Sequence, residues 1–349
     1  MSQPRINLFS DTQTRPTPAM RAAIAAAEVG DEQSFADPSV NVLCTQAAAL
    51  LGHERAMFLP SGTMANEIAI LVHCRPGDEI LCDRSAHILN LEGAGPSALA
   101  GAQVTGLPGE RGVFTAADVA ASVRDPANRY APQTRLVAIE NTANLGGGTV
   151  WRLDQVEAVA TAARDNGLLV HMDGARLMNA VVATGTSAAS YGALCDSIWL
   201  DLSKGLGCPI GAVLAGSADF IDEAWRWKQR LGGAMRQAGM MAASGSYALA
   251  HHIARLADDH ANAQRLAHGI ASIPGLACRI EHVESNIVFI DVSAAAWTAE
   301  TVCAAMAERG VRLGAMGGRI RAVTHLDVST AMIDEALHHL AELMETTPR

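Results

Sequence analysis

The sequence has no apolar run of the roughly 20 residues that a membrane-spanning helix needs, although 49% of its 349 residues are hydrophobic. Its formal net charge of −10 argues against a nucleic-acid backbone as a partner, because that role needs clustered Lys and Arg. Its first residues lack the basic and then apolar stretch of a secretory signal. We therefore expect a soluble, cytoplasmic protein that acts on a small molecule and binds neither membrane nor nucleic acid.

Metal and redox motifs are also missing. The seven cysteines are an odd number, are widely scattered and form no CxxC pair, so we interpret them as reduced thiols and predict no metal site. No GxGxxG follows an early strand with an acid downstream, which argues against a Rossmann oxidoreductase.

The chain is long enough for one large domain and a second, smaller one. We predict that residues 1–50 form an N-terminal arm with helices that pack on the large domain. Residues 51–255 are expected to form that large domain, and residues 256–349 a small C-terminal domain. In the arm, Thr17-Pro18 and Asp37-Pro38 each predict a helix start, because an N-cap residue precedes a proline. The second of these helices is expected to end at Gly52.

From residue 55 onward, strand and helix patterns alternate. Strands are predicted at 55–59, 79–82, 135–140 and 168–173, with helices after Ser61-Gly62-Thr63, around 92–99 and at 154–166. Regular alternation of this kind predicts an α/β fold with a mainly parallel sheet covered on both faces. A helical region at 235–268 follows. Strands at 285–292 and 319–323 and helices at 298–309 and 329–345 then predict a small α+β domain.

The segment LVHMDGARL places Asp173 where an apolar strand ends and Arg176 three residues later. Ligands of open α/β sheets collect at the carboxyl ends of the strands. An aspartate there can hold the protonated pyridine nitrogen of pyridoxal phosphate (PLP), so that the ring withdraws electrons from the reacting carbon. The alternative is that Asp173 only caps the next helix.

The segment SIWLDLSKGLGCPIGAVLAG places Ser203-Lys204 between an apolar strand and a glycine-rich turn. A desolvated lysine has the lowered pKa that imine formation with an aldehyde requires. Glycines 205, 207 and 211 would let the backbone pass close to a bulky cofactor. The alternative is a solvated loop lysine.

Two further segments suggest cofactor contacts. In FLPSGTMANEIAI, Gly62 and Thr63 open a helix whose free N–H groups would suit a phosphate, although an ordinary helix N-cap looks the same. In SAHILNLEG, His87 stands among apolar residues and could be a core histidine or stack on a flat cofactor.

Together these segments resemble the threonine aldolases, which are fold-type-I PLP enzymes, aspartate aminotransferase-like in fold, of the β-eliminating lyase group. The resemblance covers nearly the whole chain in order: FSDTQTRPTPAM, AEVGDE, PSGTMAN, RSAHI, IENT, HMDGARL, LSKGLGCPIGAVLAGS, GGAMRQAG and IRAVTHLDV.

The resemblance implies that Lys204 carries PLP as a Schiff base, that Asp173 binds the pyridine nitrogen and that His87 stacks on the ring, with Lys204 and His87 as catalytic residues. Arg236 would reach the phosphate from a neighbouring subunit. The implied cofactor-binding residues are Gly62, Thr63, His87, Asp173, Arg176, Ser203, Lys204 and Arg236.

The implied substrate is an amino acid whose carboxylate is bound by Ser10, Arg176 and Arg321. Two arginines on one carboxylate would orient the Cα–Cβ bond against the cofactor ring. The implied reaction is retro-aldol cleavage of L-β-hydroxy-α-amino acids, such as L-threonine, L-allo-threonine or phenylserine, to glycine and an aldehyde. The family also implies a homotetramer built from dimers with shared active sites.

The sequence departs from the family pattern at two places. Ala143 stands where the family has histidine after IENT, and that histidine is thought to recognise the β-hydroxyl. Either His87 or a water would take over this task, or the preferred substrate differs. The run 33–37, QSFAD, replaces VYGED, and we expect both departures to face the substrate pocket. The run 145–151 is predicted to be the turn before the helix at 154, with a pocket-shaping role as the alternative.

Other functions remain open at this point. The missing histidine at 143 leaves β-elimination, racemisation or transaldol exchange as alternatives within the same fold. A PLP-binding regulator or an inactive scaffold is a further alternative, which the retained Lys204 and both carboxylate arginines disfavour.

Overall fold

The computed structural model describes residues 4–346. Residues 1–3 of the predicted N-terminal arm and residues 347–349 of the predicted C-terminal domain lie outside the described residues. The strands are β1 Ile6–Asn7, β2 Arg55–Leu59, β3 Asp78–Asp83, β4 Gln103–Leu107, β5 Gln133–Glu140, β6 Leu169–Gly174, β7 Ser197–Asp201, β8 Ala212–Gly216, β9 Leu276–Ala277, β10 Ile287–Val292, β11 Val311–Arg312, β12 Gly314–Met316 and β13 Arg319–Val323.

The helices surround these strands. They are α1 Pro18–Ala25, α2 Pro38–Leu51, α3 Gly62–His73, α4 His87–Asn90, α5 Gly95–Leu99, α6 Ala116–Ser122, α7 Leu153–Asp165, α8 Leu177–Thr184, α9 Ala188–Gly192, α10 Ala218–Arg230, α11 Gly239–His251, α12 Leu256–Ala271, α13 Ala299–Glu308 and α14 Thr330–Met344.

The large sheet has seven strands in the order β2-β8-β7-β6-β5-β3-β4. Neighbours pair in parallel except β8, which is antiparallel to both β2 and β7. Apolar residues of the sheet pack against helices in three clusters of buried side chains. The predicted α/β fold with a mainly parallel sheet is confirmed.

Three adjacent strands of this sheet carry an acid at or next to their last residue. These are Glu140 on β5, Asp173 on β6 and Asp201 on β7, and Glu140 is paired in register with Asp173. Because parallel strands end at the same edge of a sheet, the fold collects these carboxyl groups at one place.

The small sheet has four antiparallel strands in the order β12-β13-β10-β9. Its core also includes the start of the chain, because β1 pairs in parallel with β11, and Ile6 and Leu8 lie in the same buried cluster. The expectation that the whole N-terminal arm packs with the large domain is therefore wrong for these first residues. The division of the chain at residues 50 and 255 stays a prediction.

The local signals of the arm are confirmed. Thr17 and Asp37 cap α1 and α2 by accepting N–H bonds from the first turn, and each helix has proline at its start. Gly52 ends α2 with a φ of 71°, a left-handed conformation that glycine adopts without steric cost.

Two helical regions differ from the prediction. The region expected at 235–268 is divided into α11 and α12, and it begins only at Gly239. The break coincides with a tertiary contact, because the ring of His252 hydrogen-bonds the carbonyl of Leu206 at 2.7 Å. The stretch expected around 92–99 is helical only over Gly95–Leu99, with a separate turn at His87–Asn90.

Within residues 4–346, none of the helices is long and apolar enough to cross a membrane.

Candidate active site

A cavity of about 270 Å³ lies at the carboxyl edge of the large sheet, between the start of α3, the N-terminal segment and β13. Most of the predicted site residues meet there. The lining residues are Ser10, Thr12, Ser61, Gly62, Thr63, His87, Glu92, Glu140, Asn144, Asp173, Ala175, Arg176, Trp199, Asp201, Lys204 and Arg321.

Asp173 is buried and held on both carboxylate oxygens. Oδ1 accepts the N–H of Ala175 at 2.9 Å, and Oδ2 accepts the side-chain amide of Asn66 at 2.8 Å. Asn66 is itself fixed, because its Oδ1 accepts the indole N–H of Trp199 at 2.7 Å and lies 3.1 Å from Nε2 of His171. Each carboxylate oxygen has a further lone pair, so Asp173 can still accept a hydrogen bond from a donor in the cavity.

His87 is anchored beside Asp173 by two acids. Its Nδ1 lies 2.6 Å from Oε1 of Glu92, and its backbone N–H donates to Oε2 of Glu140 at 2.6 Å. Burial lowers the pKa of His87, but the Glu92 hydrogen bond and the surrounding carboxylates outweigh it and raise that pKa above its usual value. Nε2 of the ring is left for a proton-accepting role.

Lys204 follows the end of β7, and its Nζ lies 2.9 Å from Oδ2 of Asp201. The backbone there is fixed because the hydroxyl of Thr14 donates to the carbonyl of Lys204 at 2.8 Å. Ser203 donates both its N–H and its hydroxyl to Oδ1 of Asp201, at 2.7 and 2.9 Å. Asp201 thus orients the lysine, whereas Ser203 does not line the cavity.

The start of α3 offers backbone N–H groups to the cavity. Ser61 caps the helix by accepting the N–H of Met64 at 3.3 Å. Among residues 4–346, no hydrogen bond involves the N–H groups of Gly62 and Thr63. A side chain at Gly62 would collide with Trp199, because its Cβ would lie 2.2 Å from the indole ring. Free N–H groups at a helix N-terminus suit an anionic group such as phosphate.

The opposite side of the cavity is cationic. Arg176 is buried and uses Nε and Nη2 to bind the two oxygens of Asp11, at 2.7 and 2.6 Å. Its Nη1 and the Nη2 of Arg321 approach the same atom, Oδ1 of Asn144, at 3.4 and 2.7 Å. Two guanidinium groups therefore converge on one oxygen.

Positive charge exceeds negative charge on the side of the cavity that holds Arg176 and Arg321. Burial raises the pKa of Asp11, but its ion pair and hydrogen bonds with Arg176 outweigh burial and hold that pKa well below its usual range. Burial and the nearby positive charge of Arg176 lower the pKa of Arg321 to about 10. Nε of Arg321 is buried and has no hydrogen-bond partner among the residues that the structure describes. An incoming carboxylate would supply the missing anion.

Two predicted features lie elsewhere. Arg236 is exposed and pairs with Asp31 at 2.8 Å, so this chain does not bring it to its own cavity. Glycines 205, 207 and 211 were expected to make room for the cofactor, which is wrong: Cβ atoms there would instead lie within 3 Å of the side chains of Leu256, Leu326 and Phe58.

The two departures from the family pattern do not line the cavity either. Phe35, in the run 33–37, is half exposed and packs edge-on against Trp225 with ring centroids 5.2 Å apart. Ala143 is buried with its methyl group against the backbone, since a Cβ at Gly112 would lie 2.4 Å from it. The expectation that these departures face the substrate pocket stays a prediction. The predicted turn at 145–151 is confirmed, closed by a bridge between Ala143 and Thr149.

The sequence reasoning missed several residues of the site. Glu140 and Asp201 end apolar strands just as Asp173 does, so the same signal could have found them. No local sequence pattern identifies the other residues that the sequence analysis missed, because each of them is bound to a residue that lies far away in the chain. These are Asp11, Asn66, Glu92 and Asn144.

The residues present fit PLP. Asp173 can hold a protonated ring nitrogen, and His87 and Ala175 line the cavity together with Asp173. The start of α3 offers N–H groups without partners in residues 4–346, which suit a phosphate. Lys204 supplies the amine.

The structure also brings together ligand atoms that the sequence did not connect. One atom each from His87, Glu92 and Asp173 lie within 4.8 Å of one another, a grouping that could hold a metal ion. Oε1 of Glu92 and Oδ2 of Asp173 are, however, both bound by the amide of Asn66, at 2.7 and 2.8 Å. These groups are part of the cofactor side of the cavity.

Comparison with known proteins shows the family of this chain. The β-eliminating lyase family model matches residues 7–293. The chain is 36% identical to the low-specificity L-threonine aldolase 1 of Arabidopsis thaliana over 98% of this chain and 97% of that protein. It is 38% identical to the low specificity L-threonine aldolase of Escherichia coli K12, over 96% and 98%.

A solved threonine aldolase from Leishmania major has the same fold, with a TM-score of 0.82 at 20% identity over 97% of this chain and 99% of that one. The prediction of a fold-type-I fold is confirmed, and so is that of a lyase. The chain belongs to the β-eliminating lyase family.

Proposed function

We propose that this protein cleaves L-β-hydroxy-α-amino acids into glycine and an aldehyde by a retro-aldol reaction. The observation that carries the proposal is that Lys204, His87 and the converging arginines Arg176 and Arg321 share one cavity. An amine, a base and a carboxylate clamp are the groups that this reaction asks of the protein. Relatives at 36–38% identity named low-specificity L-threonine aldolase support the same activity.

The arginines would fix the amino acid. Arg321, buried and lacking a partner at Nε, would bind the substrate carboxylate together with Nη1 of Arg176, the nitrogen that Asp11 leaves free. Ser10, which lines the same part of the cavity, would add a hydroxyl. A carboxylate held at two points sets the rotation about the substrate's Cα, and with it the bond that breaks.

His87 would manage the proton of the β-hydroxyl. Its Nδ1 is engaged by Glu92, so Nε2 is the atom that can accept the proton as the Cα–Cβ bond breaks. Bound PLP supplies the electron-withdrawing ring that makes this bond labile. Lys204 would hold the cofactor, with its Nζ kept beside Asp201.

We also propose a homotetramer of dimers in the cytoplasm. Arg236 supports shared sites, because it lies outside the cavity of its own chain and its side chain is exposed. The seven free thiols support a reducing compartment.

The test is a substrate panel with purified holoenzyme. From L-threonine, L-allo-threonine and phenylserine we expect one molecule of glycine for each molecule of aldehyde. From D-threonine we expect neither product. Lys204→Ala is the matched control for background reaction. Pyruvate and ammonia from serine, with no aldehyde from any of the three, would show that the enzyme catalyses β-elimination instead.

A further inference from the structure

Glu140 is a buried acid at the end of β5 that receives two short hydrogen bonds from different parts of the chain. Oε2 accepts the backbone N–H of His87 at 2.6 Å. Oε1 accepts the backbone N–H of Asn144 at 2.6 Å. One carboxyl group therefore joins the segment after β3 to the segment after β5.

Each of these two residues serves a different half of the cavity. His87 lies beside Asp173 with its ring held by Glu92. Asn144 places its Oδ1 between Arg321 and Arg176, at 2.7 and 3.4 Å. A movement of Glu140 would shift the histidine and the arginine clamp together.

We propose that Glu140 is a positioning residue that fixes His87 and Asn144 relative to each other, so that cofactor contact and carboxylate binding are set by one side chain. This proposal rests on the function proposed above. The proposed role is one of positioning, because the two oxygens of Glu140 accept backbone N–H groups of residues from the two different halves of the cavity.

Both N–H bonds to Glu140 are 2.6 Å long, and hydrogen bonds to an ionised carboxylate are about twice as strong as neutral ones. Burial and the neighbouring charge of Asp173 raise the pKa of Glu140 to about 7, while the two N–H bonds and His87 oppose that rise. The charge of Glu140 in turn raises the pKa of Arg176 and, together with burial, that of the Cys82 thiol on β3.

The first variant is Glu140→Gln. An amide of the same shape can accept one backbone N–H but turns its own NH2 group toward the other, so one bond is lost and two donors face each other. The loss of one bond to a charged acceptor predicts roughly a tenfold rise in KM and in the Kd for glycine. We expect kcat to change less than KM.

Glu140→Asp keeps the charge but is one methylene shorter. It is expected to fall between wild type and Glu140→Gln in glycine affinity, because it can reach one N–H with full charge. The matched control is Glu79→Gln on β3, a buried acid outside the cavity that accepts bonds from Thr105, Thr134 and Arg124. That variant should lower stability and leave KM and glycine affinity unchanged.

The experiment uses holoenzyme and follows glycine binding through the change in cofactor absorbance, together with kcat, KM and the pH titration of the absorbance band. The proposal is supported if Glu140→Gln weakens glycine binding and shifts the absorbance pKa while Glu79→Gln does neither. It is overturned if glycine binding of Glu140→Gln stays within twofold of wild type, or if Glu79→Gln changes as the Glu140 variants do. Failure of both Glu140 variants to fold, with Glu79→Gln folded, also overturns it by making Glu140 purely structural.

Wild type separates this proposal from the proposed function. If wild type neither binds glycine nor releases aldehyde, the proposed function is overturned but the positioning role of Glu140 is not. That role is then tested by the pKa at which the cofactor absorbance band titrates. A shift in Glu140→Gln and none in Glu79→Gln then supports the positioning role; no shift overturns it.

Discussion

The two halves of the cavity are built differently. In the cofactor half, Asp173, Asn66 and His87 come from the large sheet and from the helices that follow its strands. The acceptor and donor atoms of Asn66 are all used, in bonds to Asp173, Glu92, Trp199 and His171. This amide ties the side chains of the cofactor half into one hydrogen-bonded network. Within residues 4–346, Oε2 of Glu92 and the N–H groups of Gly62 and Thr63 are left without partners.

The carboxylate half is assembled from three distant parts of the chain. Asp11 comes from the N-terminal segment, Arg176 from the turn after β6 and Arg321 from β13 of the small sheet. Arg321 keeps an unpartnered buried Nε, so this half is short of one anion. The difference suggests that the cofactor half holds its shape alone, whereas the carboxylate half is completed by the substrate.

The largest expected effect comes from breaking the cofactor half at its centre. Lys204→Ala removes the amine and should lower kcat by roughly a thousandfold or more. The absorbance band of bound PLP should also be lost or displaced. Retention of wild-type kcat would contradict the assignment of Lys204.

Breaking the carboxylate half should leave the cofactor half intact. Arg321→Ala is expected to raise KM roughly 30-fold, since a charge-assisted bond contributes about 2 kcal/mol, with an unchanged PLP spectrum. The control is Arg319→Ala on the same strand, whose side chain pairs with Asp291 at 2.6 Å outside the cavity. Equal KM values for the two variants would show that Arg321 does not bind the carboxylate.

The integrity of the cofactor half can be tested at Asn66. Asn66→Ala leaves the buried partners of this amide without hydrogen bonds, and we expect a loss of about 3 kcal/mol in the free energy of unfolding. Weaker PLP binding should accompany it, measured by titration of the apoenzyme. Asn179→Ala, which loses one 3.1 Å contact with His260, should destabilise less and bind PLP normally.

The smallest effect concerns Glu67 on α3, whose buried carboxyl oxygens have no hydrogen-bond partner. Burial and the charge of Glu92 raise its pKa to about 8 in the folded protein. Because its pKa is raised, the Glu67 carboxyl binds its proton more tightly in the folded state than in the unfolded state. The free energy of unfolding therefore falls as pH rises from about 4.5 through about 8.

Glu67→Gln removes this titration. The variant should unfold like wild type near pH 5 and be more stable than wild type above pH 8, by about 2 kcal/mol after allowing for solvent screening. Urea unfolding at both pH values measures the difference. A constant difference across the pH range would show that Glu67 does not titrate in this window.

Sequence reasoning located the cofactor half better than the carboxylate half. Asp173, Lys204 and the Gly62-Thr63 start of α3 each stand at a strand end or helix start, where local patterns indicate a turn into the site. The placement of Ala143 could not be predicted, because it depends on how the turn around Gly112 packs. The role of Asp11 likewise depends on a bond to Arg176, 165 residues away.

The sequence by itself determined the alternation of strands and helices, the helix caps at Thr17 and Asp37, and the segments that carry Asp173 and Lys204. These features depend on neighbours within a few residues. Only the tertiary structure decided that β1 joins the small sheet, that Asn144 lies between two arginines, and that Glu140 connects His87 to Asn144. Such contacts depend on strand order and loop packing, which bring together residues that no local pattern connects.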